Sequence, residues 1–264
     1  MRLNYKITTA LAICLGLTAC DNAGNSSEVN HEEVNKIVEE FIMNNPKVII
    51  QSIEDMQRKE MEEQEKMAQS AVKDNLEELY NDPDSPVLGN PNGTKVVVEF
   101  FDYNCGFCKR AFPTIVEVIE KHDDVKVVMK EFPILGPSSE IASRAALLVH
   151  LKQPEKYYEY HRMLMAHNGQ KDLNIIKEAA SKVGITGIDF ENEMTSDKIT
   201  QILLKNRDLA NKLNIRGTPA FIANGTLIPG AVDYNALKAE LEKDLQAADE
   251  TTEEKAVEDT ETAK

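Results

Sequence analysis

The spacing of apolar residues changes along this chain, and the changes divide it into segments. After a short basic start at Arg2 and Lys6, Ile7 to Leu17 is a mostly apolar run that ends in Leu17-Thr18-Ala19-Cys20. Polar residues follow from Asp21 to Ser27. Val34, Ile37, Val38, Phe41 and Ile42 then lie three and four positions apart, the spacing of one helical face. Asn44-Asn45-Pro46 breaks that face, and Pro46 suits the first turn of a second helix. Ile49, Ile50, Ile53 and Met56 carry the stripe on, and Met61, Met67, Ala71, Leu76 and Leu79 extend it thinly to Tyr80 across a charged stretch at 58–66. A helix of about 35 residues with so narrow a stripe cannot bury its own core. It must lie on the rest of the chain or on a second copy, and self-association is the favoured expectation. Pro83, Pro86 and Pro91 then make 81–95 read as a hinge.

Beyond the prolines the period shortens. Val96 to Phe101 reads as a strand, and a helical pattern runs from Cys105 through Ile115, Val116, Val118 and Ile119. Val125 to Phe132 is a second strand, and a mainly helical block fills about 138–213. Asn224-Gly225 between two apolar runs predicts a β-hairpin, and Tyr234 to Leu245 predicts a closing helix. The expected class is α/β with a helical insertion, preceded by a helical region at 31–80. The last residues, 247–264, have little to bury and are expected to be disordered.

Hydrophobic residues make up 42% of the 264, enough for a core but too few for a chain of many membrane spans. The formal net charge of -15 repels phosphate backbones and argues against a nucleic-acid partner. Residues 1–19 read as an export leader, too short as a helix to cross a bilayer. Its end resembles a bacterial lipobox, which implies lipidation of Cys20, a tether over 20–30 and a periplasm-facing lipoprotein of the cell envelope, with the choice of inner or outer membrane open. Removing Arg2 and Lys6 with the leader leaves 28 bases against 45 acids.

With Cys14 cut away and Cys20 blocked, Cys105 and Cys108 are the remaining thiols. One pair does not staple a domain of this size. Cys105-Gly106-Phe107-Cys108 follows a strand and opens a helix, the setting in which this spacing serves as a redox pair. The positive end of the helix favours the thiolate of Cys105, the form that attacks sulfur. Cys108, one turn on, can resolve the mixed disulfide. A structural bridge is the alternative the spacing leaves open. A zinc site needs two more ligands, and the available pair, His161 with His167, starts 53 positions after Cys108, where finger-like spacing allows about 12 to 15. No cofactor or metal motif stands out, and sulfur chemistry requires none.

The run Glu99-Phe100-Phe101-Asp102-Tyr103-Asn104-Cys105-Gly106-Phe107-Cys108-Lys109, with Gly217-Thr218-Pro219 downstream and helices between, resembles DsbA-family thiol:disulfide oxidoreductases of thioredoxin fold over about 86–246. Within that family it is most similar to lipid-anchored Com-type proteins and to the branch with N-terminal oligomerisation helices. The resemblance implies a catalytic domain over 96–246 and a homo-oligomer, with a dimer favoured. It implies a cis-proline at Pro219, with Thr218, Gly106 and Phe107 facing substrate. Glu99 would be the buried acid that exchanges a proton with Cys108. From the residues alone, Pro219 could equally begin a strand, and Glu99 could face solvent. Lys109 and Arg110 read as solvated residues of the first turn.

The strongly oxidising members carry Pro-His between the cysteines. Gly106-Phe107 has no such hydrogen-bond donor, so the drive to oxidise should be weaker. Gly followed by an aromatic resembles the dimeric periplasmic isomerases, as does Thr218 before the proline. The expectation is an enzyme that donates and reshuffles disulfides in unfolded or misoxidised exported proteins, with a potential between about -270 and -120 mV and a partner that resets its cysteines. A dedicated reductant for one envelope partner and a non-enzymatic surface lipoprotein are the alternatives.

Overall fold

In the computed structural model, residues 30–243 are described, and they divide into two units, one ending at Arg58 and the other beginning at Lys59. Cys20, with the leader and tether, and the acidic tail lie outside the described residues.

The first unit is helical. Helix α1 (His31–Asn44) is capped by Asn30, whose side chain accepts from the backbone of Glu32 and Glu33. Asn45 ends it by donating through Nδ2 to the Phe41 carbonyl at 2.8 Å, and Pro46 opens helix α2 (Pro46–Asp74) as its spacing predicts. Val34, Ile37, Phe41, Ile50 and Ile53 are all exposed, so the predicted stripe forms but is uncovered in the single chain.

The second unit is built on a sheet. The expected single helix to Tyr80 stops at Asp74, where Asn75 donates through Nδ2 to the Ala71 carbonyl, and α3 (Leu76–Tyr80) sets off afresh. Val72 and Leu79 are fully buried in one of the two cores of this unit. The thin end of the stripe therefore covers the chain's own sheet.

The segment 81–95 is not a free hinge. Strand β1 (Val87–Gly89) lies within it and pairs antiparallel with β3 (Val125–Glu131). Asp82 and Ser85 are buried, and the Asp82 carboxylate binds the fully buried Lys130 ammonium at 2.7 Å. Prolines are tolerated beside an edge strand because its outward groups need no ladder partner. Gly89 is required where it stands: its φ is +74°, and a Cβ would come within 2.7 Å of the Val125 carbonyl oxygen.

Among the described residues the sheet has five strands in the order β1-β3-β2-β4-β5, with β2 (Lys95–Phe101), β4 (Ala220–Ala223) and β5 (Thr226–Pro229). Strands β2 and β3 are parallel, and β4 runs antiparallel to β2. Both faces of β2 are covered, which explains its nearly unbroken apolar sequence. Val97 and Phe101 join the core beneath α4 (Gly106–Lys121), and Val98 and Phe100 join the one formed with α3 and α9 (Asp197–Lys212). The helical block holds α5 (Pro137–Lys152), α6 (Tyr157–Ala166), α7 (Leu173–Lys182), the short α8 (Phe190–Glu193) and α9. Asn224 and Gly225 both have positive φ in the β4–β5 turn, the geometry predicted for their hairpin, and α10 (Tyr234–Leu241) closes the described chain. None of the described helices is long and apolar enough to cross a membrane.

Candidate active site

Strand β2 delivers its C-terminal end to a turn organised by the buried Asp102. Its Oδ1 accepts from the Asn104 backbone and from the Ser139 hydroxyl, each at 2.7 Å. Its Oδ2 accepts from the backbones of Ile134 and Leu135 at 2.8 and 2.9 Å. The turn places Cys105 at the N-cap of α4, in extended conformation, with Cys108 one turn inside. Both are free thiols. Cys105 is 6% exposed and Cys108 has no exposed surface, so the spacing's assignment of an outer and an inner sulfur matches the geometry.

The thiol of Cys105 donates to the Thr218 carbonyl at 3.1 Å, and the Thr218-Pro219 bond is cis. Residues 113 positions apart in the chain thus meet at the Cys105 sulfur. An open groove of about 280 Å³ adjoins Thr218, lined by Ile215, Arg216, Pro219, Leu227 and Pro229 among others. Phe107 is 57% exposed beside the cysteines, and the Arg110 guanidinium lies 4.3 Å from its ring centre. A Cβ at Gly106 would touch only the end of Arg110 at an ordinary 3.6 Å, so the glycine leaves open space there. Lys109 is not simply solvated, since its ammonium donates to the His167 carbonyl, whereas Arg110 is exposed as expected.

Glu99 lies on the α4 side of the sheet, 1% exposed, with neither carboxylate oxygen partnered. Burial, reinforced by charge on Cys105, pushes its carboxyl up to about 8. Burial raises the Cys108 thiol strongly as well, and Glu99 adds to that. At neutral pH the pair is therefore a protonated acid and a protonated thiol in one dry space. The solvent-facing reading of Glu99 is excluded by its burial.

Two further groups escape sequence reasoning. Glu131, two positions beyond the residue that pairs with Glu99, accepts through Oε1 from the hydroxyls of Tyr103 at 3.2 Å and Tyr157 at 3.4 Å. Tyr103 OH also lies 2.8 Å from Nδ1 of His161. Burial holds Glu131 well above the usual carboxylate range and lowers His161 to about 3, so both rest neutral. His161, considered as a zinc ligand from the sequence, is packed among Phe101, Phe112 and Tyr103 rings. The second group is Lys171, 1% exposed, which reaches Asn104 beside Cys105. Acids and lysines are ordinary surface residues in a sequence, and no spacing rule marks these as buried.

The sequence model of the DSBA-like thioredoxin domain matches residues 96–242. Disulfide bond formation protein D of Bacillus subtilis is 27% identical over 171 residues, covering 61% of this chain and 77% of that protein. Among solved structures, a linker-deletion variant of Proteus mirabilis ScsC superposes with a TM-score of 0.64 at 31% identity, covering 80% of this chain and 92% of that one. The thiol-disulfide exchange protein alpha-DsbA2 from Wolbachia pipientis gives a TM-score of 0.63 at 30% identity, with 67% and 95% covered.

Proposed function

The chain belongs to the DSBA-like thioredoxin family, a thiol-disulfide oxidoreductase of DsbA type, and from that premise we propose that it forms and reshuffles disulfides in exported client proteins within the bacterial envelope. The observation that carries this reading is the meeting of Cys105, at a helix start, with the Thr218 carbonyl, above a Cys108 and Glu99 kept from water.

In oxidation, a client thiolate attacks Sγ of Cys105 in the enzyme disulfide. The bond to Cys108 breaks, and Cys108 leaves with the electron pair. The proton held on Glu99 neutralises it there, where a bare thiolate is most costly. A second client thiolate then attacks the client sulfur of the mixed disulfide, and Cys105 leaves as thiolate. The client is oxidised by two electrons and the enzyme reduced by two. In reshuffling, the Cys105 thiolate opens a client disulfide, and a different client thiol closes it, with no net change in the enzyme. The Thr218 backbone would hold an extended client strand, with Gly106 leaving room and Phe107 and the adjoining groove offering apolar contact. No metal or organic cofactor enters these steps.

Envelope residence rests on the leader and on lipidation at Cys20. The exposed stripe from Val34 to Met56 favours a homo-oligomer, a dimer first, since burying such a face is worth about 25 cal/mol per Å². Gly106-Phe107 offers no side-chain donor to Cys105, which supports reshuffling beside oxidation. The test incubates the oxidised chain with a reduced, unfolded protein, and the reduced chain with a scrambled one. Recovery of native client in both is expected, and recovery in neither overturns the proposal. Thiols trapped wholly reduced in cells by an alkylating agent would favour a dedicated reductant.

A further inference from the structure

The residue before the nucleophile is gripped at every polar atom of its side chain. Asn104 donates through Nδ2 to the Ser139 hydroxyl at 3.0 Å, and its Oδ1 accepts from the Lys171 ammonium at 2.9 Å. Ser139 is itself tied to Asp102, which also accepts from the Asn104 backbone N–H. Lys171 comes from the segment between α6 and α7, 67 residues downstream.

The ammonium of Lys171 is spent wholly on neutral oxygens. Besides Asn104 it points at the carbonyls of His167, at 3.4 Å, and Gly169, at 3.3 Å. Gly169 has φ of +101°, a conformation that favours glycine and that shapes the loop around the ammonium. The Lys171 backbone is fixed too, donating to the Ser138 hydroxyl at 2.6 Å. A buried ammonium surrounded by carbonyls costs more than a methionine of similar length would. Burial, and the neighbouring Lys109 ammonium, lower Lys171 to about 8. So costly a group, placed one residue from the attacking sulfur, calls for a use, and the thiol-exchange steps above give it none.

We infer that Lys171 is a positioning residue for Cys105: through Asn104 Oδ1 it locks the backbone ahead of the nucleophile, so that Sγ stays at the N-cap of α4, facing the Thr218 carbonyl. The inference rests on the reading of Cys105 as the attacking thiol. Attack on sulfur needs a near-linear approach, and a turn free to swing loses the alignment that a fixed one keeps.

The experiment follows adduct formation at Cys105 with oxidised glutathione, by peptide mass, in full chains carrying Cys108→Ser so that the adduct persists. Into this background go Lys171→Met, Asn104→Ala and both together. Each single change should slow the adduct about tenfold, the factor that 1.4 kcal/mol represents, and the double should be no slower than the slower single, since both cut one link. Lys171→Arg, which keeps a cation and its donors, should recover most of the rate. Unchanged rates in either single variant, losses that multiply in the double, or Lys171→Arg no faster than Lys171→Met would each overturn the inference. Should Lys171→Met fail to fold, Asn104→Ala alone still decides, because Asn104 is only half-buried. A parent whose Cys105 does not react at all overturns the nucleophile reading and the inference with it; a reactive parent with unchanged variants overturns the inference alone.

Discussion

The thiol of Cys105 points at the backbone carbonyl of Thr218, 3.1 Å away, rather than at a charged side chain. A carbonyl accepts from the thiol but cannot donate to the thiolate, so this contact belongs to the protonated sulfur and is released when Cys105 ionises. The freed Thr218 carbonyl can then accept from a client backbone. A backbone donor on a bound peptide and the Cys105 thiol would thus compete for the same oxygen.

Trapping separates the two sulfurs. Cys108 has no exposed surface, whereas Cys105 sits at the mouth of the site. Cys108→Ser should accumulate mixed disulfides with clients, all through Cys105, while Cys105→Ser should accumulate none. Gel mobility without reductant and peptide mass of the adducts check this. Adducts on Cys108 in the Cys105→Ser chain would reverse the assignment of attacking and resolving thiols.

Glu99 makes the fold sensitive to pH in a stated direction. Its carboxyl rises from 4.5 to about 8 on burial. Between those values the unfolded chain has released a proton that the folded one keeps, so unfolding gains as pH rises. The group's contribution is present below about pH 4.5 and lost by about pH 8, and the gap corresponds to about 5 kcal/mol. Glu99→Gln, which keeps the neutral shape, should be more stable relative to the parent at pH 8 than at pH 5 by an amount of that order in urea unfolding. It should also slow disulfide exchange about a hundredfold at pH 7, the scale of a lost general acid. Equal pH slopes for the two proteins would show that Glu99 does not hold its proton in the fold.

The buried pair behind the sheet offers a sharper measure of stability. Burial alone would raise Asp82, but Lys130 and Lys205 outweigh it and hold the carboxyl well below its usual range. Lys130→Met leaves the buried Asp82 carboxylate with the partly exposed Lys205 as its one cation partner and should cost about 3 kcal/mol, with Asp82→Asn in the same chain recovering part of the loss. Because Asp82 lies in the stretch that reads as a hinge, a loss under 1 kcal/mol would restore the hinge reading.

What the sequence displays depends on how far apart the partners lie. Cys105 and Cys108 share one strand-to-helix passage, so spacing reveals their order, and the family resemblance places Glu99 and Pro219 against them. The positions of Asp102, Ser139 and Lys171 come from three separate segments, and only the folded chain shows that they converge on Asn104. The misread hinge has a related cause. Pro86 and its neighbours look like breakers because a one-dimensional pattern cannot show that Val87 pairs with Val128, or that Met129 donates to the Pro86 carbonyl. The stripe from Val34 to Leu79 is legible as helix, but whether each part meets the sheet or solvent is decided by tertiary packing.

That division fixes where the helical region can be cut. A deletion reaching Tyr80 removes Val72 and Leu79 from the core, along with the Tyr80 hydroxyl that accepts from the Gly225 backbone at 2.9 Å. Each buried aliphatic side chain is worth about 1.5 to 3 kcal/mol, so this cut should destabilise the domain by several kcal/mol and obscure any effect on assembly. A deletion of 30–58 stops at the boundary between the two units and leaves those contacts whole. It should keep its urea midpoint and its oxidation of small thiols, fall to monomer mass in sedimentation, and reshuffle scrambled clients poorly, because one site then works without a facing copy. Retention of oligomeric mass after this cut would move the interface elsewhere, and a falling midpoint would mean that the first helices support the fold of the domain that carries Cys105.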